Sequence, residues 1–253
     1  MKVRFLGING FEFAFDGKTL LLDPYVSRDS ERMSIPAVVR KHIKVADYIV
    51  ISHSHWDHAA DVAEIARYTE AIIFGSETML NICRYFEIPE VRLRQIENRS
   101  PMDVGPFSVT PFKSKHMEPM GYPGFYQQPP EKIDSIAGYY EGGTWALLVK
   151  CGGTSFLNVG SANLIDEELQ GIHCDYLLAG IASRAPDYLP RLLQCVQAKT
   201  VIPTHWDYYS GYPVEAPGEK ISLNEFCAEM SRIAPKQNVK LLNVLETMEI
   251  ATK

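Results

Sequence analysis

Long apolar runs are missing from this chain. None of the stretches in its 253 residues reaches the roughly 18 apolar positions that a membrane-spanning helix needs, so no membrane partner is expected. No secretory leader is expected either, since the first residues lack the apolar centre that such a segment needs. Met1-Lys2-Val3-Arg4-Phe5 enters a strand pattern at once, without a charged start and an apolar centre. Cysteine is sparse: the five residues at 83, 151, 174, 195 and 227 are odd in number and show neither metal-like nor disulfide-like pairing. Reduced core thiols in a cytoplasmic protein are the expectation. Positive charge is in the minority, with 25 Lys and Arg against 31 Asp and Glu, and a net charge of −6 argues against nucleic acid as a partner. No linker-like shift in composition and no short-period repeat divides the chain, which therefore reads as one domain over residues 1–253. Hydrophobic residues make up 46% of it, enough for a sizeable core.

Against these absences stands one dense stretch, His53-Ser54-His55-Trp56-Asp57-His58, with three histidines and a carboxylate in six residues. The apolar, β-branched run Tyr48-Ile49-Val50-Ile51 precedes it, and a helical pattern from Asp61 to Tyr68 follows. The stretch is thus a loop at the end of a buried strand, where sites in α/β sheets lie. Neutral imidazole is a common zinc ligand, and groups crowded this closely are costly unless something binds them.

Strands are expected at 3–6, 11–15, 19–22, 71–74, 91–96, 107–112, 145–149, 154–159, 176–180, 200–203, 239–242 and 247–250, with turns at Asp16-Gly17 and Gly152-Gly153. Helices are expected at 37–43, from Ser76 through Phe86, at 188–196, and after Ser222, where Glu225 stands at capping-box spacing. Strands grouped with helices in each half suit a four-layer αββα sandwich of α/β class. His116 and His205 each follow a strand, on the same sheet edge as the histidine loop. Asp23 can accept a hydrogen bond from a metal-bound histidine or cap a turn. Arg184, with its planar fork, is a candidate for an anionic substrate group. His42 reads as exposed and His173 as structural. Residues 117–143 form an irregular insert, rich in Gly, Pro and aromatics, that serves as a lid or an oligomer contact. Residues 208–213 form a second aromatic loop.

His-x-His-x-Asp-His after an apolar strand resembles the signature of the metallo-β-lactamase superfamily. Phe5-Leu6-Gly7 and Leu20-Leu21-Leu22-Asp23-Pro24 resemble its lactonase-like branch (ascorbate-6-phosphate lactonase-like). The resemblance implies the metallo-β-lactamase fold and a hydrolase in which metal-bound hydroxide attacks a small, anionic substrate: a lactone, phosphoester or related ester or amide. It implies one or two divalent ions, zinc first, with manganese, nickel or iron as alternatives. His53, His55 and His116 would hold the first ion; Asp57, His58 and His205 would hold the second, with Asp57 also catalytic. The chain departs from the pattern at Ser161, where the family commonly has a bridging Asp. A hydroxyl is a weaker ligand than a carboxylate, so the second ion is expected to be weaker; Asn163 or Asp166 could compensate, although Asp166-Glu167-Glu168 reads as the first turn of a helix. The alternatives are a non-enzymatic metal-binding protein and a redox-type member of the superfamily. The latter tend to carry a carboxylate at the position of His55. Substrate, metal identity and oligomeric state, including a homo-oligomer, stay open at this stage.

Overall fold

Short runs that alternate between two apolar faces open the chain. They form β1 (Lys2–Gly7), β2 (Gly10–Phe15) and β3 (Lys18–Leu22), followed by β4 (Tyr48–Val50), β5 (Ile72–Gly75) and β6 (Leu93–Gln95). The computed structural model describes residues 1–29, 31, 33–207, 213–216 and 222–252. The second group of strands comprises β7 (Met102–Val104), β8 (Phe107–Lys113), β9 (Trp145–Cys151), β10 (Thr154–Asn158), β11 (Ile172–Gly180), β12 (Val196–Thr204) and β13 (Asn238–Val239). The last strand, β14 (Thr247–Glu249), returns to the edge of the first sheet. Among the described residues the strand orders are β14-β1-β2-β3-β4-β5-β6 and β13-β12-β11-β10-β9-β8-β7.

The strand period of two explains the layers. In β3, Leu20 and Leu22 face the second sheet, whereas Leu21 faces the helices outside. In β4, Val50 and Ile49 divide in the same way. Between the sheets Phe13 meets Phe156 edge to face at 5.0 Å. Helices α1 (Pro36–His42), α2 (Trp56–Ala59), α3 (Val62–Tyr68) and α4 (Glu77–Tyr85) belong to the first half. Helices α5 (Asp166–Leu169), α6 (Tyr188–Cys195) and α7 (Leu223–Ile233) belong to the second. The result is the expected αββα sandwich. No described helix is long and apolar enough to cross a membrane.

Ser76 caps α4 as read, its Oγ accepting from Met79 N at 3.3 Å, and Asp166 opens α5. Several local expectations need correction. A short helix, α2, sits inside the histidine loop, because His58 N and Ala59 N both close on His55 O at 2.9 Å. Strand β11 starts at Ile172, which puts His173 inside a strand. Strand β12 starts at Val196, directly after α6. Ser222 is the N-cap of α7, but its backbone is left-handed (φ 54°) and its side chain makes no cap bond, so the capping box does not form. His42 is buried, with Nε2 2.9 Å from Glu215 Oε1. The aromatic loop at 208–212 lies outside the described residues.

Candidate metal centre

Strand direction gathers the candidate residues. β3, β4 and β5 run parallel in one sheet, and β10, β11 and β12 run parallel in the other. Their carboxyl ends share one edge of the sandwich, with Asp23 following β3, the histidine loop β4, Ser161 β10, Ala182 and Ser183 β11, and His205 β12. His116 arrives from β8. A cavity of about 260 Å³ opens there, lined by His53, His55, Asp57, His58, His116 and His205 among others.

The histidine loop is anchored beneath. Ser52 N and Oγ donate to Asp23 at 2.7 and 2.6 Å, and Ser52 Oγ lies 3.3 Å from His53 Nδ1. His58 Nδ1 lies 2.9 Å from Asp23 Oδ2. Asp23 therefore anchors the root of the loop through Ser52 and stands beside the ring of His58, whose Nδ1 makes no hydrogen bond of good geometry. Two of the residues at this edge, Asp23 (φ 41°) and His205 (φ 55°), hold left-handed backbone that non-glycine residues rarely adopt, a form of strain common at sites. The far end of the irregular segment also grips the loop, since Ser54 N donates to Glu141 O at 2.9 Å. Gly142 (φ +70°) is required here: a Cβ on it would stand 2.5 Å from Ser54 Oγ.

Donor atoms of His53, His55 and His116 lie within 4.8 Å of one another, as do those of His53, Asp57 and His58. His116 stands edge to face with both His55 and His53, at 4.7 and 4.9 Å, and its Nδ1 is 2.9 Å from Met117 O. Across the cavity, His205 Nε2 is 3.2 Å from Asp57 Oδ2. Burial, followed by the neighbouring His58, His55 and His116, pushes the proton affinity of His53 well below the ordinary value. Burial and then His55 push His116 down to about 4. Burial also lowers His55, although Asp57 opposes it. For His58, burial is outweighed by Asp23 and Asp57, and the ring is raised. For Asp57, burial is outweighed by His58, His205 and His55, which hold the carboxyl below its usual range. His53, His55 and His116 are thus held neutral beside the ionised carboxylate of Asp57, the protonation states a divalent cation requires of such ligands. His53 Nε2 is buried with no hydrogen-bond partner in the protein, a vacancy in polar pairing that a cation would fill.

Ser161 lines the cavity, and its Oγ accepts from Met117 N at 3.2 Å, so the hydroxyl also supports the segment that follows His116. Asn163 donates to His116 O at 3.1 Å and Asp166 pairs with Arg191, so neither stands in for a carboxylate at residue 161. Arg184 requires a correction. Its guanidinium is 3.1 Å from Glu229 and donates to Ile181 O at 3.2 Å, and it is absent from the cavity wall. The nearby carboxylate claimed the fork.

Two supports had no sequence signal. Arg28 and Asp207 form a fully buried ion pair. Asp207 accepts from Ile8 N at 2.9 and 3.0 Å, while Ile8 O accepts from His205 N at 2.6 Å. Asn9 Nδ2 joins Asp23 (3.2 Å) to Asn158 (2.7 Å), and its Oδ1 accepts from Thr204 at 2.8 Å. These bonds tie His205 and the ends of three strands to the β1–β2 turn.

The chain is similar to proteins already known. The family model described as the beta-lactamase superfamily domain matches residues 18–206. A protein of Carboxydothermus hydrogenoformans named "UPF0173 metal-dependent hydrolase" is 26% identical over 225 residues, covering 85% of this chain and 88% of that one. Igni18, a metallo hydrolase from the archaeon Ignicoccus hospitalis, superposes with a TM-score of 0.68 at 18% identity, over 99% of both chains. CmlA, a diiron β-hydroxylase from Streptomyces venezuelae, superposes with a TM-score of 0.60 at 12% identity, over 98% of this chain and 54% of CmlA. At these identities the two structures speak for the fold alone.

Proposed function

The chain belongs to the beta-lactamase superfamily, and from that premise we propose that it is a metal-dependent hydrolase of small molecules. His53, His55 and His116 would hold one divalent ion, and Asp57, His58 and His205 are available to a second. The convergence of three imidazoles on one point, with His53 Nε2 unpartnered, carries this reading. A bound divalent ion lowers the pKa of its water, so that hydroxide is present near neutral pH. The protein's own residues position the reactants. Asp57 lines the cavity beside His205 and can orient the attacking water and accept its proton. Asp23 places a carboxylate against the ring of His58. The nitrogen-rich donor set favours zinc over hard cations such as magnesium or calcium.

Esters, amides, phosphoesters and lactones are all within this chemistry, and the lactonase-like residues 5–7 and 20–24 put a lactone first. The imidazole of His55, at the position where redox-type members tend to have a carboxylate, supports hydrolysis over redox chemistry. The test is chelation followed by reconstitution. Hydrolysis of a panel of esters, lactones and phosphoesters should disappear with the metal and return with it. A panel left untouched by the reconstituted protein would count against the reading.

A further inference from the structure

Beyond the donor residues, the cavity wall is mostly apolar. Trp56, Met117, Pro119, Tyr122, Ala162 and Ala182 line it, with hydroxyls from Ser161 and Ser183. Among the described residues no Lys or Arg lines it. Arg184 is paired with Glu229 and Arg28 with Asp207. We infer that the part of the substrate pointing away from the reacting bond is small and carries no negative charge. This inference rests on the hydrolase reading and names its substrate class: short-chain, uncharged acyl compounds such as neutral lactones and esters.

The physical reason is a difference between the two ends of the ligand. At the reacting end, the donor cluster can present a cation to a developing negative charge. At the far end, a carboxylate or phosphate would give up water without a guanidinium or ammonium to replace it, and that loss is costly. An alkyl or aryl group there gains instead by burial against Met117, Pro119 and Tyr122. The cavity of about 260 Å³ lies at the lower end of ligand-site sizes, which limits the length of that group. The wall is also held in place. Met117 N is fixed by Ser161 Oγ at 3.2 Å, and Tyr122 O accepts from Glu141 N at 3.1 Å. Through Glu141 O and Ser54 N the wall is tied to the histidine loop itself. Selection against a charged tail is therefore a property of the fixed wall.

Two hydroxamates matched in chain length test this without requiring turnover: pentanohydroxamic acid and the monohydroxamate of glutaric acid. They share a metal-seeking head and differ in a terminal methyl against a carboxylate. Calorimetric titration into zinc-loaded protein should show the methyl-ended compound binding about tenfold tighter or more. Ala182→Arg, or the more exposed Ser183→Lys should the first variant fold poorly, should narrow or invert that ratio. Equal or tighter binding of the carboxylate-ended compound by wild type would overturn the inference. Binding of neither compound would overturn it together with the metal-site reading. Hydrolysis by the reconstituted protein that favours anionic-tailed esters would overturn the inference alone and leave the hydrolase reading standing.

Discussion

Asp23 Oδ2 stands 2.9 Å from His58 Nδ1, and both side chains are almost sealed from solvent. The same carboxylate accepts from Ser52 N, Ser52 Oγ and Asn9 Nδ2. One residue at the end of β3 therefore holds the root of the histidine loop and places a carboxylate against its last ring. With Nδ1 beside Asp23, Nε2 of His58 faces Asp57 at 3.9 Å.

Asp23→Asn should weaken metal binding by about 10- to 100-fold while leaving the fold intact, because an amide lacks the charge that the carboxylate sets against the His58 ring. Competition with a coloured chelator measures this. Unchanged affinity would mean that Asp23 only supports the loop.

Asp57→Asn should cost roughly 100-fold or more in kcat with little change in melting temperature. The substitution keeps the shape and removes the charge that the surrounding histidines stabilise. Retention of wild-type kcat would exclude Asp57 from the chemistry.

Ser161 governs the relative strength of the two ion positions. In wild type the ion at His53, His55 and His116 should survive moderate chelation, and the one at Asp57, His58 and His205 should leave first. Ser161→Asp should tighten the second, because a charged oxygen replaces a hydroxyl that already accepts from Met117 N. Chelator titration followed by metal counting on both proteins decides the matter. Two equally tight ions in wild type would refute the asymmetry.

Acid should destabilise the metal-free protein. His53, His55 and His116 are all lowered in the folded state, so the unfolded chain binds more protons below the ordinary histidine value of 6.5. Their contribution is complete above 6.5 and is lost as the pH falls toward about 4, the value of His116. His58 is raised and acts in the opposite sense, contributing stability in acid that fades as the pH rises. His42, also lowered by burial, acts in the same sense as the three, so four rings against one give a net loss on acidification. Melting temperatures of chelated protein between about pH 7.5 and 4.5 should fall with pH, and His116→Gln should flatten the slope. A flat wild-type profile would contradict these shifts.

Much of this was legible because its causes are local. The apolar run before His53, the Ser76 cap and the Gly152-Gly153 hairpin each act over a few residues. The strand-end positions of His116 and His205 follow from the same local patterns. What stayed hidden depends on distant partners. Asp207 meets Arg28 across 179 positions, and Asn9 meets Asn158 across 149, so no window of sequence contains either pair. Arg184 offered a free fork in the sequence, but Glu229, 45 positions on, takes it in the fold. Ser222 carried a capping-box spacing that its left-handed backbone cannot use.

His53, His55 and His116 together are proposed to hold a metal ion, and everything else at the site depends on it. Anomalous diffraction from crystals of protein purified without added metal, recorded across the zinc edge, tests it most directly. A peak bonded to these three imidazoles is expected, and its loss in His53→Ala. Metal-replete crystals with no peak there, or with an ion held by other residues, would contradict it.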